Sequence, residues 1–153
     1  MTSSVVDPRG PRFAAALTAT VLALVLVTGS IWLLAAQTAV FALGAAGRSP
    51  YIWLFRTVWR PRLGPPGDLE DARPVRFAQT VGLAFGIVAL GGVAVGATLV
   101  TLAATAAALA AAFLNAAFAV CLGCEVYLLL ARARSHGRRG TIHPSDTRTE
   151  VSA

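Results

Sequence analysis

Two cysteines occur in the chain, and they stand three residues apart in the string CLGCE, Cys121 to Glu125. A carboxylate, Glu125, directly follows the second thiol. On a helix, positions 121, 124 and 125 share one face, with Cys121 between the other two. Thiols at that spacing can close to a disulfide after modest local adjustment. Nearby arginines favour the thiolate, which is the reactive species, while Glu125 opposes it or shuttles its proton. Cys121, Cys124 and Glu125 are therefore the candidate catalytic residues, a redox dithiol with a proton shuttle. The competing reading is packing, because cysteine is also a small apolar residue at home between helices. The conjunction of two cysteines, a carboxylate and a position at the edge of an apolar segment favours chemistry.

Other chemistries find less in the residues. Structural zinc asks for about four ligands. Beyond the cysteine pair only Glu125, His136 and His143 are at hand, or a second copy completing a four-cysteine set, so no metal and no cofactor is assigned. Asn115 is expected to hydrogen-bond between helices rather than bind a substrate. No glycine-rich phosphate cradle, nucleophile elbow or zincin helix is present, and hydrolytic or nucleotide-dependent chemistry is not indicated.

The elements that must position the dithiol follow from composition. The 153 residues amount to one domain, 56% are hydrophobic, 13% are charged and the mean hydropathy is +0.69. A soluble domain of this size needs more polar surface, so lipid is the expected solvent. The net charge is +6 and every basic residue is an arginine. Those arginines flank apolar runs rather than forming a stripe, which argues against nucleic acid and for membrane-flanking charge.

The first apolar run, 13–46, is interrupted by Thr28-Gly29-Ser30. One helix of that length would measure about 50 Å against a bilayer core of about 30 Å. Two spans, 13–29 and 31–46, fit better. A signal peptide is the alternative for the first, but no small-residue cleavage site ends it and a second span follows at once. The second run, 77–131, divides near the glycines at 91–96 into spans 77–95 and 98–131. Gly82-x-x-x-Gly86 and Gly92-x-x-x-Gly96 have the spacing that lets helix backbones approach in lipid.

The expected architecture is all-α and polytopic, with four transmembrane helices arranged as two tandem hairpins. Between them, 47–76 is a basic, proline-rich loop. Its string SPYIWLFRTVWR predicts a short interfacial amphipathic helix, capped by Ser49 and opened by Pro50. Tyr51, Leu54, Phe55, Val58 and Trp59 share one face and Arg56 and Arg60 the other. Residues 1–12 form an N-terminal segment, 13–131 the transmembrane domain, and 132–153 a polar tail predicted to be disordered. Every arginine sits in 1–12, 47–76 or the tail, and the turns at 28–30 and 91–98 carry no charge. The positive-inside rule then places all three basic regions, and both termini, in the cytoplasm.

An internal repeat supports the two-hairpin reading. DPRGPRFA at 7–14 and DARPVRFA at 71–78 share Asp, Arg, Arg, Phe and Ala at a constant offset of 64. Two spans per unit make the copies parallel, related by an axis along the membrane normal. A fainter echo sets Tyr51-x-x-Leu54-x-Arg56 beside Tyr127-x-x-Leu130-x-Arg132. By that echo the dithiol lies where the fourth span meets the cytoplasm, and Tyr127–Arg134 becomes a surface helix. There Glu125 reaches water or an arginine of the basic loop, avoiding the cost of a carboxylate at the bilayer centre.

The strings DPRGPRFAA, RSPY, RPRLGPP, RFAQ and CLGCEVYLLL, spread over about residues 6–133, resemble a bacterial membrane family known as domain of unknown function 4395. The resemblance implies a multi-pass protein of the bacterial inner membrane, with Cys121 and Cys124 carried over intact. It also implies partners, because such proteins tend to be encoded beside thioredoxin-like and rhodanese-type sulfurtransferase proteins.

The leading expectation is a membrane component of thiol–disulfide or sulfur relay, working with a cytosolic thioredoxin-like or rhodanese-type partner, the lipid bilayer and a homo-oligomer among its associations. The alternatives are a transporter subunit for a sulfur-containing solute, and a structural subunit without chemistry.

Overall fold

The computed structural model describes residues 5–64 and 70–138. Apart from one two-residue strand pair, the regular structure among them is helical. Helix α1 (Arg9–Thr28), α2 (Ile31–Ala45) and α3 (Pro50–Leu54) make the first unit. Helix α4 (Ala72–Ala94), α5 (Thr98–Phe118) and α6 (Leu122–Arg138) make the second. The strands β1 (Val5–Val6) and β2 (Glu70–Asp71) precede α1 and α4 and pair antiparallel, Val5 opposite Asp71 and Val6 opposite Glu70.

The repeat signature is the start of both units. Asp7 Oδ1 accepts the Arg9 N–H at 3.0 Å, and Asp71 Oδ1 accepts the Arg73 N–H at 2.9 Å. Each carboxylate satisfies a donor that the first turn of a helix leaves open, beside the positive end of its dipole. Both hairpins reverse at a left-handed glycine, Gly29 (φ 64°) and Gly96 (φ 70°), where a side chain would be strained. The units interlock: α1 packs most extensively on α5, and α2 on α4, more than α1 packs on its own partner α2.

Helices α1, α4 and α5 are each long and apolar enough to cross a membrane, with mean hydropathies of 1.8, 1.8 and 1.9 over their best windows. Helix α2 alone, at about 22 Å, is shorter than a bilayer core. Together with the segment Pro50–Arg62, which leaves it at 78°, it is long and apolar enough for a broken span or a re-entrant loop, and α2 on its own would reach across only part of the core.

The core lies where the interlocked helices meet. Val25, Leu34, Ala89 and Ala104 form one buried cluster, and Leu22, Phe41 and Ala108 another. In α4, Gly82 and Gly86 receive α2: a Cβ at Gly86 would stand 2.5 Å from Thr38 Oγ1, and one at Gly82 2.7 Å from the Phe41 ring. The small-residue spacing thus serves contact between the units. A polar chain threads this apolar interior. The Tyr51 hydroxyl donates to Gln37 Oε1 (2.9 Å), and Gln37 Nε2 donates to Thr18 Oγ1 (3.3 Å), with Gln37 only 1% exposed. The interhelical role expected of Asn115, which is half-buried in α5, belongs here to Gln37.

Three boundaries differ from the sequence expectation. The apolar helix expected to run 98–131 ends at Phe118, and a new helix starts at Leu122. Ala119 makes the break by adopting φ 57°, its N–H reaching back to the Leu114 carbonyl. The amphipathic helix keeps its Ser49 cap and Pro50 start, but α geometry stops at Leu54. A widened π turn over Phe55–Trp59 and a 3-10 turn over Arg60–Arg62 follow. Pro61 accounts for this, because it has no N–H to donate and its ring crowds the carbonyl four residues back. Finally, 132–138, expected to open a disordered tail, continue α6, and the rest of that tail lies outside the described residues.

Two substitutions test this account. Tyr51→Phe leaves the Gln37 acceptor without its donor and should lower stability by about 1 kcal/mol, read by unfolding of the detergent-solubilised protein. Ala119→Gly relieves a left-handed alanine and should leave stability unchanged or raise it by up to about 1 kcal/mol. A clear loss for the glycine variant would contradict the left-handed break.

Candidate dithiol site

The dithiol is built at the head of α6. The left-handed turn at Ala119 brings the chain out of α5 and points it along a new axis. Cys121 becomes the residue before the first turn of α6, and Cys124 lies within that turn. Cys121 Sγ accepts the Cys124 N–H at 3.4 Å, and the Glu125 N–H donates to the Cys121 carbonyl at 3.0 Å. This is the hydrogen bonding of a helix cap, with sulfur where serine usually supplies oxygen. The first unit has that ordinary version: Ser49 Oγ accepts the Ile52 N–H at 3.4 Å at the start of α3.

Tertiary packing holds the turn in place. A Cβ at Gly123 would stand 2.6 Å from Ala78 Cα, so only glycine lets α6 lie this close to the backbone of α4. One turn further on, the Tyr127 ring meets Phe77 at a tilt of 50°, with ring centroids 5.7 Å apart. Phe13 and Phe55 make the same contact in the first unit, also at 5.7 Å. The pair Phe13/Phe77 obeys the offset of 64, whereas Ser49/Cys121 and Phe55/Tyr127 are offset by 72. The echo that set Tyr51 against Tyr127 is therefore four residues out of register. The offset grows mainly because α5 has 21 residues where α2 has 15, and also because α4 has 23 where α1 has 20.

The local bonds set the electrostatics. The Cys121 thiol is lowered from 9.0 to about 7. A hydrogen bond from the Cys124 side chain is the largest cause, followed by opposing burial, then by the backbone N–H groups of Cys124 and Gly123. The charge of Glu125 pushes the other way. The arginines expected to favour the thiolate are not what lowers it. Arg76 projects from the side of α4 away from Ala78 and lies over the α2–α3 turn, its Nη2 2.6 Å from where a Gly47 Cβ would stand. A positive charge there also suits the C-terminal end of α2.

The structure thus gathers Cys121, Cys124 and Glu125 into one turn, with both cysteines half-buried, Glu125 exposed and no disulfide between the thiols. His136 lies three turns further along α6, and His143 falls outside the described residues. Among the described residues, no three histidine, cysteine or acidic side chains come together as a metal set.

The class is a helical bundle in which three of the described helices are long and apolar enough to cross a membrane, with Cys121 and Cys124 at the head of α6. The chain belongs to the family of domain of unknown function 4395, whose profile matches residues 6–132, from the first Asp-capped helix to just past the dithiol. No curated protein and no solved structure matches it.

The lowered thiol makes a pH prediction. Cys121 is protonated below about pH 7 and thiolate above it. Its alkylation rate in the parent protein, followed at Cys121 itself by mass spectrometry, should therefore rise with pH and level off at a lower pH than an ordinary thiol. Without the Cys124 side chain the midpoint moves up from that of the parent, towards 9.0. The thiolate's contribution to folding has the matching sign, being complete above pH 9.0 and lost as pH falls towards about 7.

Proposed function

We infer that the chain is an integral membrane component of thiol–disulfide exchange or sulfur relay, with the Cys121–Cys124 pair as its reactive group. In this reading α1, α2, α4 and α5 cross the bilayer as two hairpins, and α3 and α6 lie at the cytoplasmic surface with both termini on that side. The observation that carries it is the Cys121 sulfur acting as the cap of α6, with the Cys124 thiol and two backbone N–H groups favouring its charged form. A neutral thiol is a weak acceptor, so a capping sulfur suits a thiolate.

The exchange balances without a bound cofactor. The Cys121 thiolate attacks one sulfur of a partner disulfide, forming a mixed disulfide and releasing the partner's other sulfur as thiolate. The Cys124 thiol, losing its proton to solvent or Glu125, then attacks Cys121 Sγ. The partner leaves as a dithiol and Cys121–Cys124 is oxidised to a disulfide. With a persulfide donor, the Cys121 thiolate instead takes the outer sulfur and the donor leaves as thiolate. The family resemblance favours a thioredoxin-like or rhodanese-type protein as partner. Solute transport finds less support, since the cavity among Leu22, Gln37, Phe85 and Thr105 measures about 10 Å³ and that among Val25, Gly29, Ile31 and Thr101 about 70 Å³, room for a few waters.

Thiol trapping in intact cells is the test. Cys124→Ser removes the resolving group and should accumulate a mixed disulfide on Cys121, while Cys121→Ser should accumulate none. If neither cysteine ever changes redox state in the parent protein, the thiol reading fails and the cysteines are packing residues.

A further inference from the structure

The two surface elements are copies of one design, and their differences point to a division of labour. At the offset of 72, Ser49 corresponds to Cys121, Ile52 to Cys124, Trp53 to Glu125 and Arg56 to Leu128. Where the second unit has its thiols and carboxylate, the first has a hydroxyl, an aliphatic and an aromatic side chain, and it has an arginine where the second has Leu128. The segment 50–62 is held to the bundle through a few residues: Phe55 is buried against Phe13 and Gly10, Ile52 lies beside Gly10, the Trp59 ring tilts against Phe13 at 6.0 Å, and Tyr51 reaches Gln37. The other side chains from Trp53 onward are exposed, Trp59 on the face away from Phe13. Trp53 is 67% exposed and Trp59 47%, and Leu54, Val58 and Leu63 are also exposed. Arg56, Arg60 and Arg62 stand exposed among them.

An apolar patch of this size with two tryptophans is costly in water and suits the headgroup layer of a bilayer. The charge narrows the choice of lipid. No aspartate or glutamate occurs between residues 8 and 67, a stretch that holds six arginines. The segment therefore has no carboxylate of its own unit from Pro8 onward to neutralise it. Arginine matches a phosphate with two parallel N–H donors, and basic residues at a membrane surface gain most from anionic lipid.

We propose that Pro50–Arg62 is an anionic-phospholipid binding element, in which Arg56, Arg60 and Arg62 hold headgroup phosphates while Trp53 and Trp59 insert beside them. The proposal rests on the membrane placement given above but not on any thiol chemistry.

The test uses full-length Trp32→Phe protein, in which Trp53 and Trp59 are the remaining tryptophans. It is reconstituted into vesicles of phosphatidylglycerol and phosphatidylcholine in equal amounts, with bromine on one lipid or the other. At low salt, tryptophan quenching by brominated phosphatidylglycerol should exceed that by brominated phosphatidylcholine by at least about twofold. The excess should disappear near 1 M salt, where the screening length is about 3 Å, and in the Arg56→Gln/Arg60→Gln/Arg62→Gln variant. The salt arm needs no substitution beyond Trp32→Phe, at a side chain 82% exposed. Equal quenching by the two lipids at low salt overturns the proposal and leaves the arginines for an acidic protein. A preference that survives high salt overturns the arginine–phosphate account. Protein that does not float with the vesicles removes the membrane placement itself, a result distinct from flotation without lipid preference.

Discussion

A helix with an apolar exterior must satisfy its own backbone, so the places where helices end decide where polar chemistry can exist. Within a long helix each N–H and C=O is closed by its neighbour one turn away, and only the ends leave groups open. Each end here has a specific solution. Asp7 and Asp71 cap the entrances of α1 and α4, and Gly29 and Gly96 turn the hairpins. Ser49 and Cys121 cap the two surface elements. The dithiol is one of these closures, with the Cys121 sulfur in the capping position.

The same constraint explains the buried polar residues. Among the described residues no buried side-chain nitrogen or oxygen lacks a hydrogen-bond partner. Thr38 and Thr105 donate back to carbonyls of their own helices, at 2.8 Å each. Gln37 has no such local option, and takes Thr18 from α1 and Tyr51 from the surface segment. That link ties the bend after α2 to the bundle interior, so the segment carrying Trp53 and the arginines is fixed at its root while its far end faces outward.

Much of this plan is legible in the sequence, because its signals are local. The Asp-x-Arg-x-x-Arg-Phe-Ala repeat marks both unit starts, Thr28-Gly29-Ser30 marks the first reversal, and Ser49-Pro50 marks the start of α3. The missed features depend on tertiary contact or on non-local register. Nothing in a run of alanine, phenylalanine and valine announces that Ala119 will turn left-handed, since glycine or asparagine is the usual signal. The fixed offset of 64 also hides the growth to 72 across the longer α4 and α5, and with it the equivalence of Ser49 and Cys121. Allowing the offset to drift would have found it, because Phe55 and Tyr127 then align as aromatic partners of Phe13 and Phe77.

The arginine expectation failed for an instructive reason. Proximity in sequence suggested that the basic loop would bias the thiol, but Arg76 and Ala78 leave α4 on opposite sides, and Arg76 serves the α2–α3 turn. The bias comes instead from donors two and three residues after Cys121, strong enough to prevail over burial and over Glu125. Those donors belong to one helical turn, so the chemistry of the site is local. Its placement is not: the turn keeps its shape against α4 because Gly123 admits Ala78, and the chain reaches it because Ala119 accepts a strained conformation. A C-x-x-C of the same sequence inside an unbroken helix would lack the open N–H groups that favour the thiolate, since each would already be bonded to the turn before it. The break in α5 is therefore what opens the backbone N–H groups of Gly123 and Cys124 to the Cys121 sulfur, beside the larger effect of the Cys124 side chain.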